Sequence, residues 1–389
     1  MTVVIPCLNE EETVAACVRI AAETMRLAGI SGEVVIADNG STDASRERAL
    51  AAGARVIKVT ERGYGAALLG GIAAADGDLI VMGDADGSYD FREIPSLVDQ
   101  LRKGADIVVG CRFPSGGGTI RSGAMPFLHR WLGNPLLTLL ARRMFRLAIR
   151  DIYCGLRAFR REFVQRLDLR CTGMEFAAEM LVKAGLSGGR IAEIPITLHP
   201  DARTKTRSHL RTMQDGSRTV RTYLLYSPNW LFVAPGMLAT VVGVAGYVLV
   251  YSRTEIFGAT LDAHTLLVAS LVFLLGIQAM LFGFLAKLFA IGDGLLPSDR
   301  RTVAILRALR PTVVLWITAV SLMGGLGLLV DATWRWAAAD FGNLDYSSTM
   351  RLVVPAVTLI AFAFQTACAG LFAQLLLLGR RAASLEVTI

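Results

Sequence analysis

Short apolar runs separated by polar segments fill the first part of the chain, and after Leu231 the sequence turns almost continuously apolar. Thr2 to Leu8, Glu33 to Ala37, Arg55 to Thr60, Leu79 to Met82 and Asp106 to Val109 are brief, β-branched-rich runs that read as buried strands. Between them, Glu11 to Leu27, Thr42 to Ala52, Ala66 to Ala75 and Arg92 to Lys103 carry apolar residues at helical spacing with polar faces. Such alternation predicts an α/β, Rossmann-like fold: a mostly parallel sheet with helices on both faces. Farther on, about Leu231 to Tyr251, Thr265 to Ile291, Thr312 to Val330 and Leu352 to Leu378 are each long and apolar enough to cross a bilayer. The expected organisation is a soluble domain over residues 1–228 and an all-α membrane domain of four transmembrane helices over 229–389.

Charge refines this division. The net charge of +7 over 389 residues is concentrated just before the first span, in Arg203, Lys205, Arg207, Arg211, Arg218 and Arg221. That placement suits an anionic membrane surface or a lipid phosphate. Nucleic acid is not an expected partner, because no recognition motif accompanies the charge. Arg300, Arg301, Arg307 and Arg310 sit between the second and third spans, and Arg380-Arg381 follow the fourth, whereas the other two loops carry Glu255, Asp262, Asp331, Asp340 and Asp345. The positive-inside rule therefore puts the soluble domain, the middle loop and the tail on the cytoplasmic side, with Trp334 and Trp336 at the outer interface. Six cysteines without paired spacing and four scattered histidines argue against disulfides or a zinc site and for a reducing compartment. No signal peptide is expected ahead of a strand that opens at Thr2.

Ligands of open α/β sheets bind beyond the carboxyl ends of the strands. Asn9-Glu10, Asp38-Asn39-Gly40-Ser41, Asp84-Ala85-Asp86 and Arg112 all fall there. Two carboxylates at i and i+2 on an extended strand end point the same way, so Asp84 and Asp86 can hold a divalent cation against a diphosphate. Gly63-Tyr64-Gly65 lacks the third glycine of a dinucleotide fingerprint and does not follow the first strand. It admits two readings, close packing at the start of a helix or contact with a phosphate.

These residues resemble those of family 2 glycosyltransferases of the GT-A fold: Val3-Val4-Ile5-Pro6-Cys7-Leu8-Asn9-Glu10-Glu11, Ala37-Asp38-Asn39-Gly40-Ser41-Thr42-Asp43 and Gly83-Asp84-Ala85-Asp86-Gly87. Val109-Gly110-Cys111-Arg112, Asp151-Ile152-Tyr153-Cys154-Gly155-Leu156-Arg157 and Glu193-Ile194-Pro195-Ile196 are similar to polyprenyl-phosphate and dolichyl-phosphate sugar synthases within that family. The resemblance implies that Pro6, Asn9, Glu10 and Asp38 line the nucleotide pocket. It also implies that Asp84 and Asp86 bind nucleotide and Mg2+ or Mn2+, Asp86 more directly. Arg203 with Ser208 resembles the family's Arg-x-x-Gly-x-Ser-Lys loop, although Thr206-Arg207-Ser208-His209 departs from it. Arg203 is thereby a candidate for the nucleotide phosphates.

A lipid monophosphate is already largely ionised near neutral pH, so it can attack a sugar carbon without a general base. Arg112, by resemblance, and Arg130 are the candidates for gripping that phosphate, with His129 either assisting or structural. Arg157 reaches the phosphate or locks the Asp151 to Arg157 turn through a carboxylate. Residues 125–150 mix many large apolar side chains with Arg130, Arg142, Arg143 and Arg146, and read as interfacial helices or as an ordinary packed pair; 203–226 is a second interfacial candidate.

The implied reaction is an inverting, metal-dependent transfer of one hexose from a nucleotide sugar to polyprenyl phosphate. Ser88-Tyr89-Asp90-Phe91 favours UDP-glucose over GDP-mannose by resemblance. A processive polysaccharide synthase should carry Gln-x-x-Arg-Trp, which this chain lacks. A flippase needs ionisable groups in midmembrane, where only Lys287 lies well inside a span. A non-catalytic nucleotide-sugar-binding scaffold would need to have lost the aspartates. The spans serve as an anchor, a lipid groove or a homo-oligomer interface, the last admitted by Gly324, Gly325 and Gly327.

Overall fold

Every residue of β1, Thr2–Cys7, is buried. A strand covered on both faces is the natural product of its unbroken apolar run. Around it the computed structural model builds a seven-stranded sheet from β2 (Glu33–Asp38), β3 (Arg55–Lys58), β4 (Leu79–Met82), β5 (Ile107–Cys111), β7 (Arg157–Arg160) and β8 (Ile191–Pro195), in the order β3-β2-β1-β4-β7-β5-β8. Only β7 runs antiparallel, to both β4 and β5. β6 (Thr119–Ile120) and β9 (Thr197–Leu198) form a small parallel pair of their own. Residues 1–203, 212–253, 255–256, 259–297 and 300–386 are described.

Helices α1 (Val14–Leu27), α2 (Ser45–Ala51), α3 (Tyr64–Ala74) and α4 (Ile94–Arg102) cover the sheet. α1 packs on α2 and α4, and α3 packs on β1 and β2 beside α7 (Phe176–Leu186). The expected mostly parallel sheet with helices is thus what the chain forms. β7, β8, α6 (Arg161–Arg166) and α7 were not expected. α5 (Asn134–Phe145) follows a π-helical turn over His129–Gly133, and α8 (Thr212–Leu225) lies in the segment before the spans.

Glu33 ties the sheet's amino-terminal rim together. Its carboxylate accepts two bonds from Arg55, both at 2.9 Å, one from Thr2 Oγ1 at 3.0 Å and one from Asp76 N at 3.2 Å. The Arg55 bonds foremost hold its pKa down at about 2. A depressed carboxylate stabilises the fold above its unfolded pKa near 4.5, and that contribution disappears as pH falls toward 2. Glu33→Gln is expected to lose about 1 kcal/mol at pH 7, the scale of a partly exposed pair. The difference from wild type in a urea titration should vanish near pH 2.

The chain divides into two compact units, Met1–Tyr223 and Leu224–Ile389. The second is all helical apart from a two-stranded turn, with α9 (Ala234–Tyr251), α10 (Ala263–Gly292), α11 (Arg300–Ala308), α12 (Pro311–Ala338) and α13 (Tyr346–Glu386). Four segments, Asn229–Tyr251, Ala263–Gly292, Pro311–Ala338 and Tyr346–Leu378, have the length and apolarity of membrane spans, with mean hydropathy between 2.0 and 2.3. α9 and α10 approach closely at glycines: a Cβ on Gly243 would stand 2.7 Å from Phe273 Cα. Gly325 does the same within α12, where a Cβ would meet Ala356 O of α13 at 2.8 Å. Gly324 touches only Leu359, and Gly327 meets nothing within 4 Å.

Pro355 lies inside α13. Lacking an N–H, it leaves the Arg351 carbonyl one turn earlier without its helical donor. Tyr251 OH of α9 donates to that carbonyl at 2.7 Å, while the Arg351 side chain pairs with Asp262 at 3.1 Å. The tyrosine thus supplies the donor that the proline cannot.

Candidate active site

At the end of β1, Asn9 adopts a left-handed backbone with φ 58°, which asparagine tolerates better than most residues. Its Oδ1 accepts Thr42 N at 2.8 Å, and Ser41 Oγ accepts Asn9 N at 3.0 Å. Glu10 N donates to Ser45 Oγ at 2.7 Å. Asn39 Oδ1 accepts Gly63 N at 2.8 Å while its amide nitrogen donates to Glu61 O at 2.6 Å. The motif residues after β1 and β2 therefore brace three loops against one another. They leave a cleft of about 260 Å³ lined by Asn9, Glu10, Glu11, Glu12, Thr42, Asp43 and Arg203.

Pro6 and Asp38 are not among the residues that line this cleft. Both are buried, and the Asp38 carboxylate accepts Gly40 N at 3.4 Å and Ser41 N at 3.1 Å, so it shapes the turn.

Asp84 and Asp86 follow β4. Tyr64 OH donates to Asp84 Oδ1 at 2.8 Å, and a Cβ on Gly155 would stand 2.8 Å from Asp84 Oδ2. Burial, then the charge of Asp86, push the Asp84 pKa up to about 7. Asp86 is different. Its Oδ1 accepts Ser88 N at 2.9 Å and Ser88 Oγ at 2.6 Å, whereas Oδ2 faces the Arg203 Nη2 at 3.5 Å. Arg203 Nη1 donates to Glu10 Oε1 at 2.9 Å, and burial raises the Glu10 pKa to about 7 despite that arginine.

The two glycines beside Tyr64 are explained by packing. Gly63 has φ +138°, a Cβ there would stand 2.1 Å from Thr172 O, and one on Gly65 would stand 2.3 Å from Cys171 O. Tyr64 itself was the informative residue. Ser88-Tyr89-Asp90-Phe91 is likewise used up internally: Ser88 bonds Asp86, Tyr89 OH accepts Gly155 N at 2.8 Å, Asp90 accepts Arg92 N at 3.0 Å, and Phe91 is core.

On the other side of Asp84, Arg112 Nε and Nη2 grip Asp151 at 2.7 and 2.8 Å. Arg112 Nη1 is 3.5 Å from Tyr89 OH. Glu193 Oε1 accepts Arg150 N at 2.6 Å and Asp151 N at 3.0 Å, holding the turn from below. The motifs that contain Asp151 and Glu193 carry no sign of this pairing, because the partners stand 39 or more positions apart in the chain.

Arg157 is corrected. It is fully buried, and its guanidinium donates to the carbonyls of Ile152 at 2.6 Å, Cys154 at 2.8 Å and Ala177 at 2.5 Å. It locks the turn, as one of its two readings held, but through carbonyls in place of a carboxylate.

His129 and Arg130 sit half-buried in the π-helical turn, and burial with the Arg112 charge holds the His129 pKa down. Arg130 stacks over Trp131 at 5.5 Å. Phe127, Leu128, Trp131, Leu132, Leu136 and Leu139 form an exposed apolar stripe, Phe127 being 78% exposed. Lys205, Arg207, Ser208, His209 and Arg211 lie outside the described residues.

Among the described residues no three His, Cys, Asp or Glu side chains could hold a metal ion together. Mg2+ is commonly held by one or two carboxylates together with substrate phosphates. Asp86 Oδ2, which faces Arg203 and has Asp84 nearby, fits a cation of that kind once the guanidinium gives way.

A mostly parallel α/β sheet with paired aspartates after β4, followed by four apolar spans, is the architecture of a membrane glycosyltransferase. The chain belongs to glycosyltransferase family 2. The model described as Glycosyl transferase family 2 matches residues 2–168, and that of the Glycosyltransferase family 2 C-terminal transmembrane region matches 284–377. The low-salt glycan biosynthesis hexosyltransferase Agl6 of Haloferax volcanii is 42% identical over 73% of this chain and 67% of its own length. The dolichyl-phosphate hexose transferase of the same organism is 34% identical over 50% of this chain and 81% of its length. Among solved structures, glucosyl-3-phosphoglycerate synthase from Mycobacterium tuberculosis with Mn2+, UDP and glucosyl-3-phosphoglycerate is 25% identical, covering 57% of this chain and 78% of that one at a TM-score of 0.44.

Proposed function

We propose that the protein transfers one hexose from a nucleotide sugar to a polyprenyl phosphate at the cytoplasmic face of the membrane, with inversion. The observation that carries the reading is the buried Arg203, which lines the cleft and pairs with Glu10 and Asp86, on a chain that also has four apolar spans. The name of the dolichyl-phosphate hexose transferase relative supports the acceptor class.

In this reading a phosphate oxygen of the lipid attacks the anomeric carbon. The new O–C bond forms as the bond to the nucleoside diphosphate breaks, and the diphosphate leaves with the electron pair. A single displacement of this kind inverts the centre, giving a β-linked product from an α-linked donor. A divalent cation held by Asp86 with Asp84 would neutralise the leaving diphosphate. Glu10 and Arg203 border the nucleotide side. Arg130, Arg112 and His129 together grip the lipid phosphate; the Arg112 charge is felt at His129 and is partly offset by Asp151. The apolar stripe of residues 127–139 lies in the headgroup region, its flanking Arg142, Arg143 and Arg146 meeting anionic lipid, so the acceptor reaches the site with its tail still in the bilayer. Basic α11 supports the cytoplasmic assignment.

Transfer of radiolabel from UDP-glucose, GDP-mannose and other UDP- and GDP-sugars to undecaprenyl or dolichyl phosphate, in detergent with Mg2+ or Mn2+, tests this. Label in lipid from one donor, absent with Asp86→Ala, is the expected result. Label in polymer or in no lipid would overturn it. With Ser88–Phe91 spent on loop structure, UDP-glucose leads the panel by resemblance alone.

A further inference from the structure

Three carboxylates converge on one guanidinium beside the cleft. Arg203 Nη1 meets Glu10 Oε1 at 2.9 Å, Nε meets both oxygens of Asp201 at 2.8 Å, and Nη2 faces Asp86 Oδ2 at 3.5 Å. The side chain is only 7% exposed. Its seat is built from the same turn that carries Asp86: Ala202 N donates to Asp86 O at 3.1 Å, and His199 N donates to Ser88 O at 2.9 Å. Asp86 Oδ1 is already occupied by Ser88, so Oδ2 is the oxygen left for a cation, and Arg203 stands in front of it.

We propose that Arg203 holds the cation's place in the donor-free protein, so that a divalent cation alone binds weakly and enters together with a nucleoside diphosphate. This rests on the reading above that Asp86 holds the metal. A cation approaching Oδ2 meets a fixed positive charge at short range, and repulsion between like charges in a half-buried site is strong. A metal–diphosphate pair changes the balance, because the diphosphate offers the guanidinium new oxygens for charge-assisted bonds as it leaves Asp86. The scarcity of protein ligands points the same way: among the described residues no three-ligand group exists, so the cation needs the diphosphate oxygens. The two ligands are thus coupled through Arg203, and coupling of this kind is reciprocal.

The test is Mn2+ binding to the full-length protein in detergent, followed by the electron paramagnetic resonance of free Mn2+, with no nucleotide, with UDP and with GDP. Wild type, Arg203→Ala, Arg203→Gln and Asp86→Asn are compared, and melting temperatures confirm that each is folded. Without nucleotide, both Arg203 variants are expected to bind Mn2+ about tenfold more tightly than wild type, a middling coupling. The tightening of Mn2+ by the nucleotide should shrink by the same factor. Arg203 variants that bind Mn2+ alone no more tightly than wild type, while still losing nucleotide affinity, would overturn the proposal and leave Arg203 a phosphate ligand only. If no Mn2+ site sensitive to Asp86→Asn exists even with UDP or GDP, the assignment of Asp86 as metal ligand falls, and this proposal with it.

Discussion

Asp86→Asn should lower kcat/KM for sugar transfer by about 10²–10³-fold, the scale seen when one group that stabilises charge in a transition state is removed. The substitution is well suited to the geometry. The asparagine carbonyl can keep accepting Ser88 N and Ser88 Oγ, as Asp86 Oδ1 does at 2.9 and 2.6 Å, so the turn survives. What changes is Oδ2: an anionic oxygen becomes an amide nitrogen that neither binds a cation nor attracts Arg203. Activity and folding are therefore separable here. Rates from the radiolabel assay, with a melting curve on the same sample, should show a large loss in the first and little change in the second. Activity within tenfold of wild type would remove Asp86 from the machinery.

Asp151→Ala is expected to act through the fold. Asp151 is fully buried and takes two side-chain bonds and a backbone bond from Arg112, itself buried. Removing one partner of a buried ion pair strands the other charge, which costs about 3–5 kcal/mol. For a unit of this size that corresponds to a fall of roughly 10 °C in melting temperature. The double variant Arg112→Met with Asp151→Ala should recover much of that loss, because it removes the stranded charge, yet remain inactive if Arg112 serves the acceptor phosphate. Recovery of both would make the pair purely structural.

Which elements could be read in advance follows from where charge is buried. β1, β2 and β4 announce themselves because their apolar runs match their burial. β7 is Arg-Ala-Phe-Arg, and its first residue is fully buried through carbonyl partners that leave no mark on periodicity. α7 hides a Glu179–Lys183 pair at 3.2 Å, both side chains nearly inaccessible, which breaks the polar–apolar pattern of an ordinary surface helix. The site shows the same division. Asp84, Asp86, Arg112 and Arg203 could be named from motifs, but their partners stand far along the chain: Asp151 is 39 positions from Arg112, and Arg203 is 193 from Glu10. Spacing could identify the charges but not how the fold pairs them. That pairing moved Arg157 into the core and turned the glycines around Tyr64 into packing residues.

The bond between Tyr251 and the Arg351 carbonyl carries a consequence for how this sequence can drift. The acceptor is exposed only because Pro355 cannot donate, and the tyrosine hydroxyl fills the opening at 2.7 Å. Loss of either residue alone is unequal: replacing the tyrosine strands a carbonyl, while replacing the proline restores a helical donor and makes the hydroxyl redundant. Substitution is therefore expected to run in one order, proline first and tyrosine after. Relatives should show both residues, neither, or the tyrosine without the proline, and seldom the proline without a donor at the position of Tyr251.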